Sequence, residues 1–378
     1  MLHIFTAILS VYLALRLVVP LRLNFFLKVL LSGIILLCGM KLLLLHLTFG
    51  SLTPELSRNV IISTGILHGA LVLLTVFCLA RDILSIALRL LRKIFPGLCT
   101  WGPRLSNAQW AAGLLVIALL LSALSVRQAV RVPDMQRLSL TLDRLPKNLD
   151  GLRIVHLSDT HVSATFPKEW VQAIVTKINA LNPDLVVITG DIADGQVALR
   201  AKDMAPLAQL RAPLGVFSCA GNHEYYWGFQ EWMQQSRQLN ITPLQNTHIV
   251  LRTKGERLVL AGLTDEAGKR YGLPGPDLRA ALNNAPEDAV RILLAHRPQL
   301  VAQSAQANVD LQLSGHTHGG QIVGMNYFVR LFNNGFLSGL YRMQNTLLYI
   351  SNGAGLWAGF PSRLCVPSEI TELTLRAG

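Results

Sequence analysis

Four long apolar stretches, residues 2–19, 23–47, 60–80 and 110–126, fall within the first third of this 378-residue chain. No other feature limits the fold so strongly. A helix needs about 20 apolar residues to cross a hydrocarbon core, and backbone inside that core must satisfy its own hydrogen bonds. The stretches therefore predict a transmembrane region of about four helices over residues 1–126. The first stretch lacks the basic start and small-residue cleavage site of a signal peptide, and a second follows almost at once. Residues 127–149 read as a linker and the first strand of a globular domain that fills 150–378.

The formal charge of +12 suggests a nucleic-acid binder until it is divided by region. Residues 1–126 carry ten Lys/Arg against two Asp/Glu, whereas 127–378 carry twenty-four against twenty. A nucleic-acid reader concentrates its basic excess in the folded domain, so that class is set aside. The excess instead orients the spans. Arg16 and Arg22 follow the first stretch, and Arg81, Arg89, Arg92, Lys93 and Arg104 follow the third against only Asp82. The positive-inside rule puts both loops in the cytoplasm, and the intervening GSLTPELSRN suits the outer side. Both termini, and the globular domain, are then expected on the extracytoplasmic side of a bacterial inner or cell membrane. Arg127 and Arg131 weigh against this without reversing it. The segment DILSIALRLLRKIF has a basic amphipathic pattern expected to lie along the cytoplasmic surface. His3, His46 and His68 lack acidic partners and read as interfacial or packing residues.

Of five cysteines, Cys38 and Cys78 lie in apolar spans, Cys99 in a basic loop, and Cys219 and Cys365 in the globular part. No CxxC spacing occurs. Buried, inert thiols are the expectation, with a Cys219–Cys365 disulfide left open.

From Arg137 the pattern changes to short apolar runs bounded by turn residues, the signature of strands. RIVHLS leads to Asp159-Thr-His161, LVVITG to Asp191, and GVFSCAG to Asn222-His223; RILLA leads to His296, and VDLQLSG to His316-Thr-His318. Between the first two runs, KEWVQAIVTKINAL places Trp170, Val171, Ile174, Val175, Ile178 and Leu181 on one helical face, giving a β-α-β unit. In an open α/β sheet, ligands gather beyond the carboxyl ends of the strands. Here five such ends present Asp, Asn or His, and Gly190, Gly221 and Gly315 precede three of them. Three oxygen donors (Asp159, Asp191, Asn222) and four imidazoles (His161, His296, His316, His318) exceed one coordination shell. Two metals are expected, roughly 3.5–4 Å apart if a carboxylate bridges. Mixed imidazole and oxygen donors favour Mn, Fe or Zn over Ca.

SDTH, TGD, GNHE, an isolated His after an apolar strand, and GHTH occur here in that order. The chain resembles the calcineurin-like metallophosphoesterases, particularly their membrane-anchored bacterial branch, over about residues 137–375. The resemblance implies an α/β domain built as a β-sandwich flanked by helices, with a dinuclear site on one edge. Asp159, His161 and His318 would hold the first metal, and Asn222, His296 and His316 the second, with Asp191 bridging. His223 would sit near the scissile phosphate and its leaving group. The implied chemistry is attack of activated water on phosphorus, with no serine or cysteine nucleophile. SNGAG at 351–355 also resembles this branch, some members of which carry a basic residue where Asn352 stands.

Other residues take quieter roles. His156 reads as a satisfied core histidine, Glu224 as an orienter of its loop, and Asp194 and Asp265 as solvated turn residues. Tyr225, Tyr226 and Trp227 read as packing residues or as a stacking surface for substrate; His248 has no suggestive neighbours. NYFVRLFNNGFLSGLYR either covers the core or forms an apolar lip. The expected function is a membrane-anchored, metal-dependent phosphoesterase acting on a phosphodiester or pyrophosphate, either a small molecule or a lipid-linked envelope intermediate. The alternative is a non-catalytic sensor or scaffold on the same fold, and a third reading gives the spans a partner that the phosphoesterase regulates.

Overall fold

A computed structural model describes residues 2–49, 55–95 and 106–378. Cys99, Arg104 and residues 50–54 of the loop read as external lie outside the described residues, as does the side chain of His3. The chain divides into two compact units: residues 1–127 with 358–362, and residues 128–357 with 363–378.

In the first unit, two described helices are long and apolar enough to cross a membrane, Arg58–Ile94 and Asn107–Val130. The pair Phe25–Gly39 and Lys41–Thr48 makes a third if its 65° bend falls within one span. Residues Thr6–Val18 form a shorter apolar helix. Among the described residues, two or three of the four expected spans thus reach membrane-crossing length. The basic amphipathic segment is no separate surface helix: nothing between Ala80 and Ile94 breaks the run, and it continues the third span. At 37 residues and 1.5 Å per residue, that helix is about 55 Å long, well beyond a hydrocarbon core of about 30 Å. Buried His68 packs within the unit, its Nδ1 2.9 Å from the Cys38 carbonyl. Gly69 lies against Ser122, which donates to the Ile66 carbonyl, the close approach of small residues common between membrane helices.

The second unit contains twelve strands: β1 (Asp134–Leu142), β2 (Arg153–Leu157), β3 (Leu185–Thr189), β4 (Val216–Cys219), β5 (Thr242–Pro243), β6 (Thr247–Thr253), β7 (Glu256–Gly262), β8 (Val290–Leu294), β9 (Leu311–Ser314), β10 (Gly339–Met343), β11 (Thr346–Ile350) and β12 (Glu369–Ala377). They form two six-stranded sheets, β1-β12-β2-β3-β4-β5 and β10-β11-β9-β8-β7-β6. The central strands β2, β3 and β4 run parallel, as do β7, β8, β9 and β11. Strands covered on both faces read as continuous apolar runs, which is why LVVIT is wholly buried. One face of the first sheet (Ile154, Leu185, Val187, Phe217) packs on the second sheet through Leu260, Ile292, Leu294 and Leu313. Its other face (Val155, Leu157, Val186, Ile188) packs on Trp170, Val171, Ile174 and Ile178 of the helix Lys168–Ala180. The result is the expected β-sandwich flanked by helices.

The five ligand-bearing strands are not consecutive in the chain. β5, β6 and β7 intervene between β4 and β8, because β5 extends the parallel run of the first sheet beyond β4 and β8 belongs to the other sheet. Cys219 is buried and Cys365 exposed, both as free thiols. The aromatic segment divides: Phe336 and Tyr341 pack on the buried Val301, Leu348 and Ile350, whereas in the helix Asn326–Phe332 Tyr327 is 72% and Phe332 83% exposed and no residue is buried.

Candidate metal centre

The carboxyl ends of β2, β3, β4, β8 and β9 deliver their side chains to one place. Asp159, His161, Asp191, His316 and His318 all adopt positive φ, between 44° and 69°. That conformation is uncommon for residues with a Cβ and persists where the surrounding structure holds it. Two glycines let the turns approach. A Cβ on Gly315 would lie 2.1 Å from Asp159 Oδ2, and one on Gly221 would lie 2.2 Å from Asp191 Oδ1.

Two clusters of the expected ligands result, beside a third group formed by His161, Asp194 and His223. Asp159, His161 and His318 bring ligand atoms within 4.8 Å of one another, as do Asp191, His296 and His316. His316 and His318, one residue apart, fall in different clusters. In the first, His161 Nε2 faces His318 Nε2 at 3.3 Å, and Asp159 Oδ1 is 3.6 Å from His318 Nε2. In the second, His296 Nε2 faces His316 Nδ1 at 3.2 Å and Asp191 Oδ2 at 3.3 Å. Asp191 Oδ2 is also 3.8 Å from His161 Nε2, so one oxygen borders both clusters. Asn222, buried at the start of the helix Asn222–Tyr226, turns its Oδ1 to a guanidinium that also contacts His316.

The donor geometry suits a cation. Two donors each about 2.1 Å from one ion, at tetrahedral or octahedral angles, stand about 3.0–3.4 Å apart. Imidazole nitrogens at that distance either share a hydrogen or stand on two sides of a cation. The outer nitrogens fix the tautomers: His161 Nδ1 meets Asp194 Oδ1 at 3.2 Å, and His296 Nδ1 donates to the Thr189 carbonyl at 2.7 Å. Both rings therefore turn Nε2 inward as the nitrogen a cation would engage, the arrangement that orients metal-ligating histidines. Asp159 accepts from the His316 N–H and the Ser158 hydroxyl. Glu224 accepts from the backbone N–H groups of Asp191, Ile192 and Gly221, fixing the β3 and β4 turns together as an orienter should.

Burial and charge set the protonation states. Burial presses His316 and His318 well below the ordinary imidazole range, reinforced by the neighbouring His296 and His161 respectively. Burial also opposes charge on His223, but Asp191 and Asp194 outweigh it and raise the ring to about 9. Burial resists ionisation of Asp191 too, yet the surrounding histidines hold it well below its usual value. His223 Nδ1 lies 2.5 Å from Asp194 Oδ1, its Nε2 3.8 Å from Asp191 Oδ2, and its ring 5.2 Å from that of Tyr226.

Two sequence expectations fail here. Asp194 is 1% exposed and joins His161 to His223, and Asp265 is 3% exposed and pairs with Arg297. Neither is a solvated turn residue, because each follows a buried strand whose end is roofed by other loops. Arg297 and Arg363 were missed altogether. Arg297 donates to Asn222 and meets His316. Arg363 is wholly buried and donates to the carbonyls of His318, Asn352, Gly353 and Gly355. The position directly after His296 was the only sequence signal for Arg297. His156 meets its core expectation, with Nε2 2.8 Å from Thr189 Oγ1. Tyr225 is buried against Phe229, whereas Tyr226 is exposed. His248, half-buried, contacts the Ala281 carbonyl.

A family model described as calcineurin-like phosphoesterase matches residues 152–320. The chain is 36% identical over 272 residues to a transmembrane protein with metallophosphoesterase domain from Danio rerio, covering 69% of this chain and 62% of that protein. An uncharacterized metallophosphoesterase of Campylobacter jejuni is 35% identical over 265 residues, covering 70% and 68%. Another, from Aquifex aeolicus, is 30% identical over 264 residues, covering 69% and 98%. The chain belongs to the calcineurin-like phosphoesterase family. It spans about 62% of the length of the vertebrate relatives it matches.

Proposed function

We propose that the chain is a membrane-anchored, dinuclear metal-dependent phosphoesterase that cleaves a phosphodiester or pyrophosphate. The observation that carries this reading is the position of Asp191 Oδ2 between the two clusters, 3.8 Å from His161 Nε2 and 3.3 Å from His296 Nε2. Asp159, His161 and His318 would hold one divalent cation, and Asn222, His296 and His316 the second, with Asp191 shared. Mn, Fe or Zn suits these donors. When bound, such ions supply Lewis acidity toward a phosphoryl group and activate water near neutral pH.

The chain's own residues do the rest. Asp194 holds His223 by Nδ1, leaving Nε2 directed toward the site beside Asp191. In the metal-free chain Asp191 and Asp194 raise the proton affinity of His223, and Nε2 is the nitrogen from which the ring would give a proton to the leaving oxygen. Glu224 and Arg363 keep the ligand loops in place, and burial of nearly every ligand excludes bulk water.

Orientation rests on the last span. Arg81, Arg89, Arg92 and Lys93 end the helix before it, so the helix Asn107–Val130 leads away from the cytoplasm and the catalytic unit is extracytoplasmic. The exposed apolar helix Asn326–Phe332 begins against Gly320, two residues past His318. An apolar surface beside the centre favours a lipid-linked or envelope phosphate over a free nucleotide. Purified full-length chain in detergent, stripped of metal and reloaded with Mn²⁺, tests the activity on a chromogenic phosphodiester. Metal-dependent turnover that Asp191→Asn removes supports the reading; a folded, loaded chain without turnover favours a non-catalytic binding protein.

A further inference from the structure

Arg297 follows His296 at the end of β8, and its guanidinium is held at one edge. Nε donates to Asp265 Oδ2 at 2.8 Å, and Asp265 is buried and anchored by the Ala267 N–H on its other oxygen. The two remaining nitrogens reach into the second cluster: one lies 3.0 Å from His316 Nε2, the other donates to Asn222 Oδ1 at 3.1 Å. The guanidinium thus borders the donors of that cluster while remaining partly open to solvent.

This arrangement cannot persist once a cation sits in the second cluster. His316 turns Nδ1, not Nε2, toward His296. A neutral ring that gives its Nδ1 lone pair to a cation carries its hydrogen on Nε2, which then cannot accept from an arginine. Asn222 Oδ1 would be drawn to the same cation. The Asp265 contact is untouched by either change, so the guanidinium keeps its anchor and loses partners on its two outward nitrogens. Those N–H groups are then free beside the centre, in the fork geometry that binds phosphate oxygens in pairs.

We infer that Arg297 is a substrate-phosphate anchor, parked on the second cluster's donors in the metal-free chain and released to a phosphoryl oxygen when that cluster fills. The ligand class is a phosphate mono- or dianion. This inference rests on the phosphoesterase reading above and adds a residue to it.

The test is calorimetric binding of inorganic phosphate to the full-length chain in detergent, loaded with Mn²⁺, with manganese content and melting temperature measured alongside. Arg297→Met should weaken phosphate binding by roughly tenfold or more, as expected for a lost hydrogen bond between charged groups, while retaining its manganese. Arg297→Lys, which keeps charge but not the fork, should fall between. In the metal-free chain, Arg297→Met should bind its second manganese as well as or better than the parent, since a competing cation is gone. Phosphate affinity within twofold of the parent in a fully loaded Arg297→Met overturns the inference alone. Loss of manganese from both variants would assign Arg297 to holding the ligand loops and also overturn it. A loaded parent chain that binds no phosphate would remove the phosphoesterase reading as well.

Discussion

The two ligand clusters differ in what surrounds them. Asp159, His161 and His318 are buried, and an acidic residue, Asp194, stands behind His161. The Asp191 cluster has a carbonyl, that of Thr189, behind His296, and Arg297 beside His316 and Asn222. A carboxylate behind an imidazole raises its basicity more than a carbonyl does, and a guanidinium next to ligands competes with an incoming cation. On the proposed reading, the first cluster would retain its cation more tightly, and the second would exchange its cation more readily. The proposed shared position of Asp191 couples them.

The largest effect should come from breaking that coupling. Asp191→Asn should lower metal-dependent turnover by about three orders of magnitude or more, in the range seen when a central electrostatic group of a site is removed. Its manganese content, read by elemental analysis, should fall below that of the parent. Next, the clusters can be separated by chelation. Graded chelator should remove one manganese before the other, and His316→Ala should abolish the weaker class of site while His318→Ala abolishes the tighter one. Two classes unaffected by either substitution would break the comparison. A smaller loss follows from Asp194→Asn, which keeps shape but removes charge behind His161 and beside His223. Metal affinity or activity should drop about 10- to 100-fold, with the first cluster affected more than the second.

These asymmetries were only partly legible in the sequence. The five strand ends stand out because short apolar runs alternate with glycine-flanked Asp, Asn and His, and both the period and the punctuation are local. Asp194 and Asp265 did not, because a turn aspartate in GDIADG or GLTDEAG looks the same whether water or a neighbouring loop covers it. Arg297 was hidden for a related reason. Its partners Asn222 and His316 follow β4 and β9, in different sheets, and only the sandwich brings them together. In the membrane unit, apolar length located the helices but not their ends. The 65° bend after Gly39 and the unbroken run through Ala80 both depend on backbone geometry that composition does not record.

His156 supplies the smallest effect and a control outside both clusters. It is a buried imidazole facing Thr189 with no carboxylate against it, and burial depresses it to about 3. The unfolded chain, with an ordinary value near 6.5, binds a proton first as pH falls. Stability is therefore complete above about pH 6.5 and lost progressively toward pH 3, by about 1 kcal/mol at pH 6 from this residue alone. In the metal-free chain, His156→Leu should flatten that part of the denaturation profile; an unchanged acid slope would show that the residue is not held neutral.

The most direct test of the central claim is the manganese stoichiometry of the reloaded full-length chain, measured together with its turnover of a chromogenic phosphodiester. Two manganese ions per chain, with turnover appearing only as the second binds, is the predicted result. Full turnover with a single ion, or no turnover with both sites filled, would contradict a dinuclear phosphoesterase centred on Asp191.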